Sequence, residues 1–220
     1  MKDNKVVHKS WITNITSDST IVIPRFDADK LTLNYYNEVP EYNLRNNWKS
    51  LKGFFFNNRP FKFLFFKDLE EPHYNQLFFV PEVEFNIYDG IALGMRFNNR
   101  SILNKPFTFS ATPMYSSNTG TLVGKFSAVV EDNIREKGKL YNIRYLVTGS
   151  RFHYTKDAFY TNFVPIVQFR FRDENLRVNK NEFIQLRQVY VNREKSEFTT
   201  DGNTENYNIF NIKYGNYQSE

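Results

Sequence analysis

From Asn75 onward, large apolar residues alternate with small, polar or charged ones in one short run after another. Ile91-Ala92-Leu93-Gly94-Met95-Arg96-Phe97 shows the design, and Tyr141-Asn142-Ile143-Arg144-Tyr145-Leu146-Val147 repeats it. Phe163-Val164-Pro165-Ile166-Val167-Gln168-Phe169-Arg170-Phe171 does so again. Successive side chains of a strand point to opposite faces, so each run has one apolar and one polar side. Eight runs predict strands at about 75–88, 90–99, 106–116, 121–131, 139–154, 159–172, 182–194 and 206–217. Asp89-Gly90, Asn118-Thr119-Gly120 and Glu136-Lys137-Gly138 supply turn chemistry, and 173–181 and 195–205 are longer charged links. The expected fold is therefore all-β, an antiparallel up-and-down meander of about eight strands that curls into a barrel.

The apolar faces carry Leu77, Phe79, Val83, Phe85 and Ile87, then Ile91, Leu93, Met95 and Phe97, and so on to Phe163, Val167, Phe169 and Phe171. The opposite faces carry Glu82, Glu84, Arg96, Lys125, Arg144, Gln168, Arg170, Gln185 and Arg187. Alternation is equally consistent with a water-soluble barrel around an apolar core and with a membrane barrel around a polar lumen. Mid-strand charges of both signs on neighbouring strands, and Tyr and Phe at the ends of the apolar faces, point to the lumen and to interfacial aromatic girdles. Glu82, Glu84, Arg96, Lys125, Arg144, Arg170 and Arg187 are accordingly the candidate lumen-facing charges. Pro81 and Pro165 sit inside predicted strands, where a missing N–H conflicts with full pairing. The last run, Tyr207 to Tyr214, places Asn211 and Lys213 on the face that Ile209 begins. That composition predicts an open sheet with unpaired edges at 206–217 and at the first strand, either near 61–66 or at 77–87.

Residues 1–50 read differently. Trp11-Ile12-Thr13, Thr20 to Pro24 and Lys30 to Tyr35 predict three short strands, too few to bury a core alone. Residues 51–74 form an aromatic-rich connector. It holds Phe54-Phe55-Phe56 and Phe61-Lys62-Phe63-Leu64-Phe65-Phe66, the latter readable as a first, short barrel strand.

Composition narrows the alternatives. Aromatic residues make up 18% of the chain, a level that suits strands and membrane interfaces alike. A mean hydropathy of −0.58 argues against a helical membrane protein but not against a barrel with polar lumen and loops. No apolar run is long enough for a transmembrane helix, and the first residues lack the apolar region of a signal peptide. Cysteine is absent, which excludes disulfides and thiolate sites. The net charge of +5 comes from Lys and Arg scattered over strands and turns, a distribution unlike that of a nucleic-acid-binding surface.

Catalytic chemistry is sparse. His8, His73 and His153 are isolated, with no i, i+4 pair for a metal, and His73 and His153 read as surface or interface residues beside turns. Glu82 and Glu84 share a face, which general acid–base work could use, but pairing with lumen bases is the simpler role. Asn98-Asn99-Arg100-Ser101 could contact sugars or simply form a solvated turn.

Asn46-Asn47-Trp48-Lys49, Phe66-Lys67-Asp68-Leu69-Glu70, Tyr74-Asn75-Gln76, Tyr88-Asp89-Gly90 and Phe169-Arg170-Phe171-Arg172 together resemble a known family. It comprises gluzincin-type, aminopeptidase-N-like proteins in which a peptidase module precedes an outer-membrane β-barrel. The resemblance implies that residues 1–50 are the last strands of a β-sandwich and that 75–220 are barrel strands, the whole being a fragment. The family's His-Glu-x-x-His zinc motif is absent, so no catalytic residue, metal or cofactor carries over. The implied role is a non-catalytic anchor in the outer membrane of a Gram-negative bacterium, its partners the lipid bilayer and the peptidase module of the same polypeptide. The alternative is a soluble, lipocalin-like ligand-binding barrel, with Arg96, Arg144 and Arg170 facing solvent.

Overall fold

A computed structural model describes residues 1–3, 5–13, 18, 20–41, 44–52, 59–101, 105–134, 138–173, 175, 178–199 and 206–218. The Phe54-Phe55-Phe56 cluster, Glu136-Lys137 of one turn and residues 200–205 of the last long link lie outside them. The chain divides into two compact units, residues 1–62 with 71–75, and residues 63–70 with 76–220.

In the first unit, β1 (Lys30–Thr32) pairs antiparallel with β2 (Trp48–Ser50). Trp11–Thr13 and Thr20–Pro24 form no strand, because neither finds a ladder to join. Trp48, placed in a polar stretch by its neighbours, pairs with Thr32 and lies under the Lys30 ammonium, 4.5 Å from the ring centre. Side chains such as Trp11, Ile23, Leu33 and Tyr36 line an apolar hollow of about 830 Å³.

The large sheet contains β3 (Phe61–Phe65), β4 (Asn75–Asn86), β5 (Gly90–Asn98), β6 (Phe107–Ser116), β7 (Leu122–Asn133), β8 (Leu140–His153), β9 (Phe159–Arg172), β10 (Lys180–Arg193) and β11 (Tyr207–Gln218). Each strand pairs with its sequence neighbour, so the architecture is an all-β sheet of nine strands. It is an antiparallel meander from β4 to β11 with β3 added parallel to β4, the Asn75 N–H donating to the Pro60 carbonyl at 2.9 Å. Phe61–Phe65 is the ninth, added to the eight expected from alternation. The hydrogen-bonded order is linear, with β11 at one edge and β3 at the other, and no ladder joins them among the described residues.

The prolines explain their own tolerance. The β9–β10 ladder skips the pair opposite Pro165, and the β5–β6 ladder is interrupted at Pro113. Beside β3, hydrogen bonding reaches Phe79, whose carbonyl accepts the Phe66 N–H at 3.1 Å, so Pro81 lies just beyond. Each missing N–H thus falls at a gap in pairing or near an edge. The Asp89-Gly90 signal gives a three-residue connection, Ile87 to Asp89, closed by Gly90 at φ +67°. Two glycines lie under rings of their cross-strand partners. A Cβ on Gly149 would come within 2.4 Å of the Phe126 ring, and one on Gly215 within 2.3 Å of Phe183. Such aromatic cover of a strand glycine holds register where a side chain is missing.

Candidate functional site: two unlike faces and a knot at one end

Ladder register and ion pairs assign the faces. Glu82 and Glu84 on β4, Arg96 on β5 and Lys125 on β7 share one face: Arg96 Nε is 3.4 Å and Lys125 Nζ 3.5 Å from the Glu82 carboxylate, and Lys125 also pairs with Glu84. On the same face Arg144 of β8 lies 3.4 Å from Glu131 of β7. In a flat sheet β4 and β7 would stand about 14 Å apart, three strand spacings. Their side chains meet because the sheet curls toward this face.

The curl encloses the polar face. Phe78, Ala92, Thr112, Met114, Ser116, Val123, Val129 and Asn142 are buried there, and Phe152 and Phe159 pack on the Ala92–Met114–Val123 cluster. The apolar face is the exposed one: Val83 is 65% accessible, Phe85 77%, Leu93 59% and Leu122 69%. Phe126, Phe163 and Tyr190 continue it as an aromatic row, with centroids 6.4 and 6.2 Å apart. A fully buried side chain of this kind is worth about 1.5–3 kcal/mol. More than a dozen left facing outward forgo an amount comparable to the whole stability of a domain, about 5–15 kcal/mol.

The expected lumen charges all fall on the enclosed face. Glu82, Glu84, Arg96 and Lys125 form one cluster, and Arg144 pairs with Glu131. Arg170 Nε donates to Gln168 Oε1 at 3.0 Å, and Arg187 lies on this face by its register with Ile166. The two glutamates are ion-paired, the geometry of a charge network.

One group was missed in the sequence. His153 is not a surface residue: it is 5% exposed, and Asp89 in the β4–β5 turn is 0% exposed. The Asp89 carboxylate accepts the His153 backbone N–H at 3.0 Å, the Asn86 amide at 3.1 Å and His153 Nδ1–H at 2.6 Å. The Asn86 amide also donates to the His153 carbonyl at 2.8 Å, and Ser116 Oγ to the Asp89 carbonyl at 2.7 Å. The β4–β5, β6–β7 and β8–β9 turns are thereby knotted at one end of the curl. Asp89 is a common turn residue and His153 a lone histidine 64 residues later, so no local pattern connects them. At the other end Lys105, before β6, lies 3.7 Å from Glu70 in the β3–β4 link, both largely buried.

The remaining histidines lie against rings, His73 tilted on Tyr35 at 4.4 Å and His8 stacked on Phe26 at 4.8 Å. Asn99 is committed to backbone, its amide donating to the Phe107 carbonyl at 3.0 Å and its oxygen accepting the Phe109 N–H at 2.8 Å. Among the described residues no group of three or more His, Asp or Glu could hold a metal ion, and no helix is long and apolar enough to cross a membrane.

Beyond the strands, Asp157 in the β8–β9 turn accepts Ser196 Oγ, the Glu197 N–H at 3.1 Å and Thr155 Oγ1 at 2.9 Å. These hydrogen bonds, that from Ser196 foremost, hold its carboxyl below the usual aspartate value. A depressed value means the link to residues 196–197 is intact above about pH 4 and is lost as pH falls through the folded value. The Glu197 amide resonance is expected to titrate with a midpoint below that of a free aspartate, and the transition to vanish in Asp157→Asn. A midpoint at or above the ordinary value contradicts this.

No protein-family profile, curated protein or solved structure matches the chain.

Proposed function

We propose that this chain is a non-catalytic, outer-membrane-type β-barrel segment whose apolar face contacts lipid and whose charged face lines the lumen. The observation that carries the reading is the inversion of the sheet, with its polar side enclosed and its apolar side exposed. Strand lengths support it: β4 to β11 run from 9 to 14 residues, and a tilted strand needs about 9–11 to cross the hydrocarbon. The same face assignment weighs against a lipocalin-like barrel, which needs its apolar side inward.

Closure follows from strand parity. Unpaired backbone groups in hydrocarbon cost several kcal/mol each, so both edges must find partners in a bilayer. The Asn75 N–H donates to the Pro60 carbonyl and the Phe66 N–H to the Phe79 carbonyl, so β3 runs parallel to β4 and therefore opposite to β11. The sheet therefore closes through a direct antiparallel β3–β11 seam or through an even number of additional antiparallel strands. The resemblance to aminopeptidase-N-like proteins supports a further reading, in which the segment anchors a metallopeptidase at the cell envelope.

Partition tests this. The full chain diluted from urea is expected to gain β-sheet circular dichroism and protease resistance only with micelles or lipid vesicles. An antibody against it is expected to recover zinc-dependent aminopeptidase activity from envelope extracts. A stable, detergent-free monomer in buffer overturns the membrane reading, and recovery without peptidase activity overturns the anchoring of a peptidase alone.

A further inference from the structure

The enclosed face is electrostatically lopsided. On the β4–β7 side the acids Glu82 and Glu84 are matched by Arg96 and Lys125. Glu131 and Arg144 then form a boundary pair. Beyond it, the strand positions of β8 to β11 that share this face carry no Asp or Glu among the described residues. Glu182 has the opposite parity, and its carboxylate lies 2.8 Å from Lys180.

Register turns the leftover cations into a site. Arg144 stands directly opposite Gln168, Gln168 opposite Gln185, and Gln185 opposite Lys213. This row crosses four strands, a span of about 14 Å. Arg170 lies two residues to one side of the row on β9, and Arg187 two residues to the other side on β10, each about 7 Å along its strand. The Arg170–Gln168 bond occupies the amide oxygen of Gln168, so the amide presents its N–H donors, and Arg170 keeps its terminal nitrogens for another acceptor. Gln168, Arg170 and Gln185 are half-buried, whereas Arg187 and Lys213 are exposed. Lys213 Nζ lies 5.8 Å from the centre of the Phe183 ring, on the same face. Arg172 and Arg193, 5.2 Å from the Tyr141 ring and 5.7 Å from the Tyr160 ring, lie farther along their strands, away from the row.

We propose that the β8–β11 part of this charged face, continuous with the enclosed part on β4–β8, binds a soluble multivalent oxyanion, of the polyphosphate or phosphorylated-sugar class, across Gln168, Arg170, Gln185, Arg187 and Lys213. Guanidinium forks and amide donors with no carboxylate among them match phosphate oxygens, and cations on both sides of the row favour a ligand bearing more than one anionic group. Because the site depends on ladder register, it is present whether the opposite face meets lipid or detergent.

The experiment titrates tripolyphosphate into the folded full-length chain in zwitterionic micelles at low salt. Binding is followed by calorimetry and by the side-chain amide resonances of Gln168 and Gln185. Those two resonances are expected to shift. Arg170→Gln with Arg187→Gln is expected to weaken binding by about tenfold or more, the loss of two charge-assisted contacts. Arg96→Gln, on the compensated side, is expected to leave it unchanged. Orthophosphate is expected to bind at least about tenfold more weakly than tripolyphosphate, since it engages fewer donors at once. Absence of binding, equal loss in Arg96→Gln, or shifts confined to residues outside β8–β11 would each overturn the proposal. The wild-type resonances locate the site even if the double variant fails to fold.

Discussion

Asp89→Ala is expected to lower the stability of the curled sheet by about 3–5 kcal/mol, a loss typical of removing one partner from a buried pair. Asp89 is fully enclosed, and its carboxylate is the acceptor for the His153 N–H, the His153 imidazole and the Asn86 amide. Truncation leaves those buried donors without their acceptor, each at a desolvation cost of about 1–3 kcal/mol. The damage is not confined to one hairpin, because the knot ties the β4–β5 turn to the last residue of β8. Asp89→Asn keeps the shape and one acceptor oxygen, so it is expected to lose less than alanine does. Urea unfolding in micelles measures the order, and exchange of the His153 amide proton reports the knot itself. An Asp89→Ala protein within about 0.5 kcal/mol of the parent, with His153 still protected, would show that the curl stands without it.

The strands were legible because period two is a local property. All eight runs read from alternation fall within two residues of the observed β4 to β11, and both faces follow from parity. That the seven candidate charges share one face was legible for the same reason: parity assigns a face without knowledge of neighbours. The knot was not legible, since the carboxylate of Asp89 and the ring of His153 meet only once three intervening strands curl the sheet. Nor was the oxyanion row: Arg170, Arg187 and Lys213 are scattered in sequence and become neighbours only through the registers of β9, β10 and β11. The N-terminal runs failed in the opposite direction. Trp11–Thr13 and Thr20–Pro24 have strand composition without a partner, and β propensity records packing against neighbours more than an intrinsic preference. Trp48 succeeds from a polar stretch because Thr32 supplies that partner.

A single charge on the exposed face separates lipid from water as its solvent. Leu93 lies in the middle of β5, opposite Val83, and is 59% accessible. If water covered this face, Leu93→Arg would be an ordinary surface change, within about 0.5 kcal/mol of the parent. In a bilayer the same arginine sits near the hydrocarbon midplane, where such a residue on a barrel costs about 2–4 kcal/mol. The expected result is a fall of that size in the free energy of folding from urea into lipid vesicles. Leu93→Ala shows how much of it comes from losing the leucine. The effect should fade toward the strand ends, so that Ile91→Arg, beside the Asp89 turn, costs less than Leu93→Arg. That gradient belongs to a bilayer, because solvation by water does not vary with depth along a strand. A Leu93→Arg chain that folds in buffer as well as the parent, with neither one partitioning into vesicles, would reverse the assignment of solvent to the two faces.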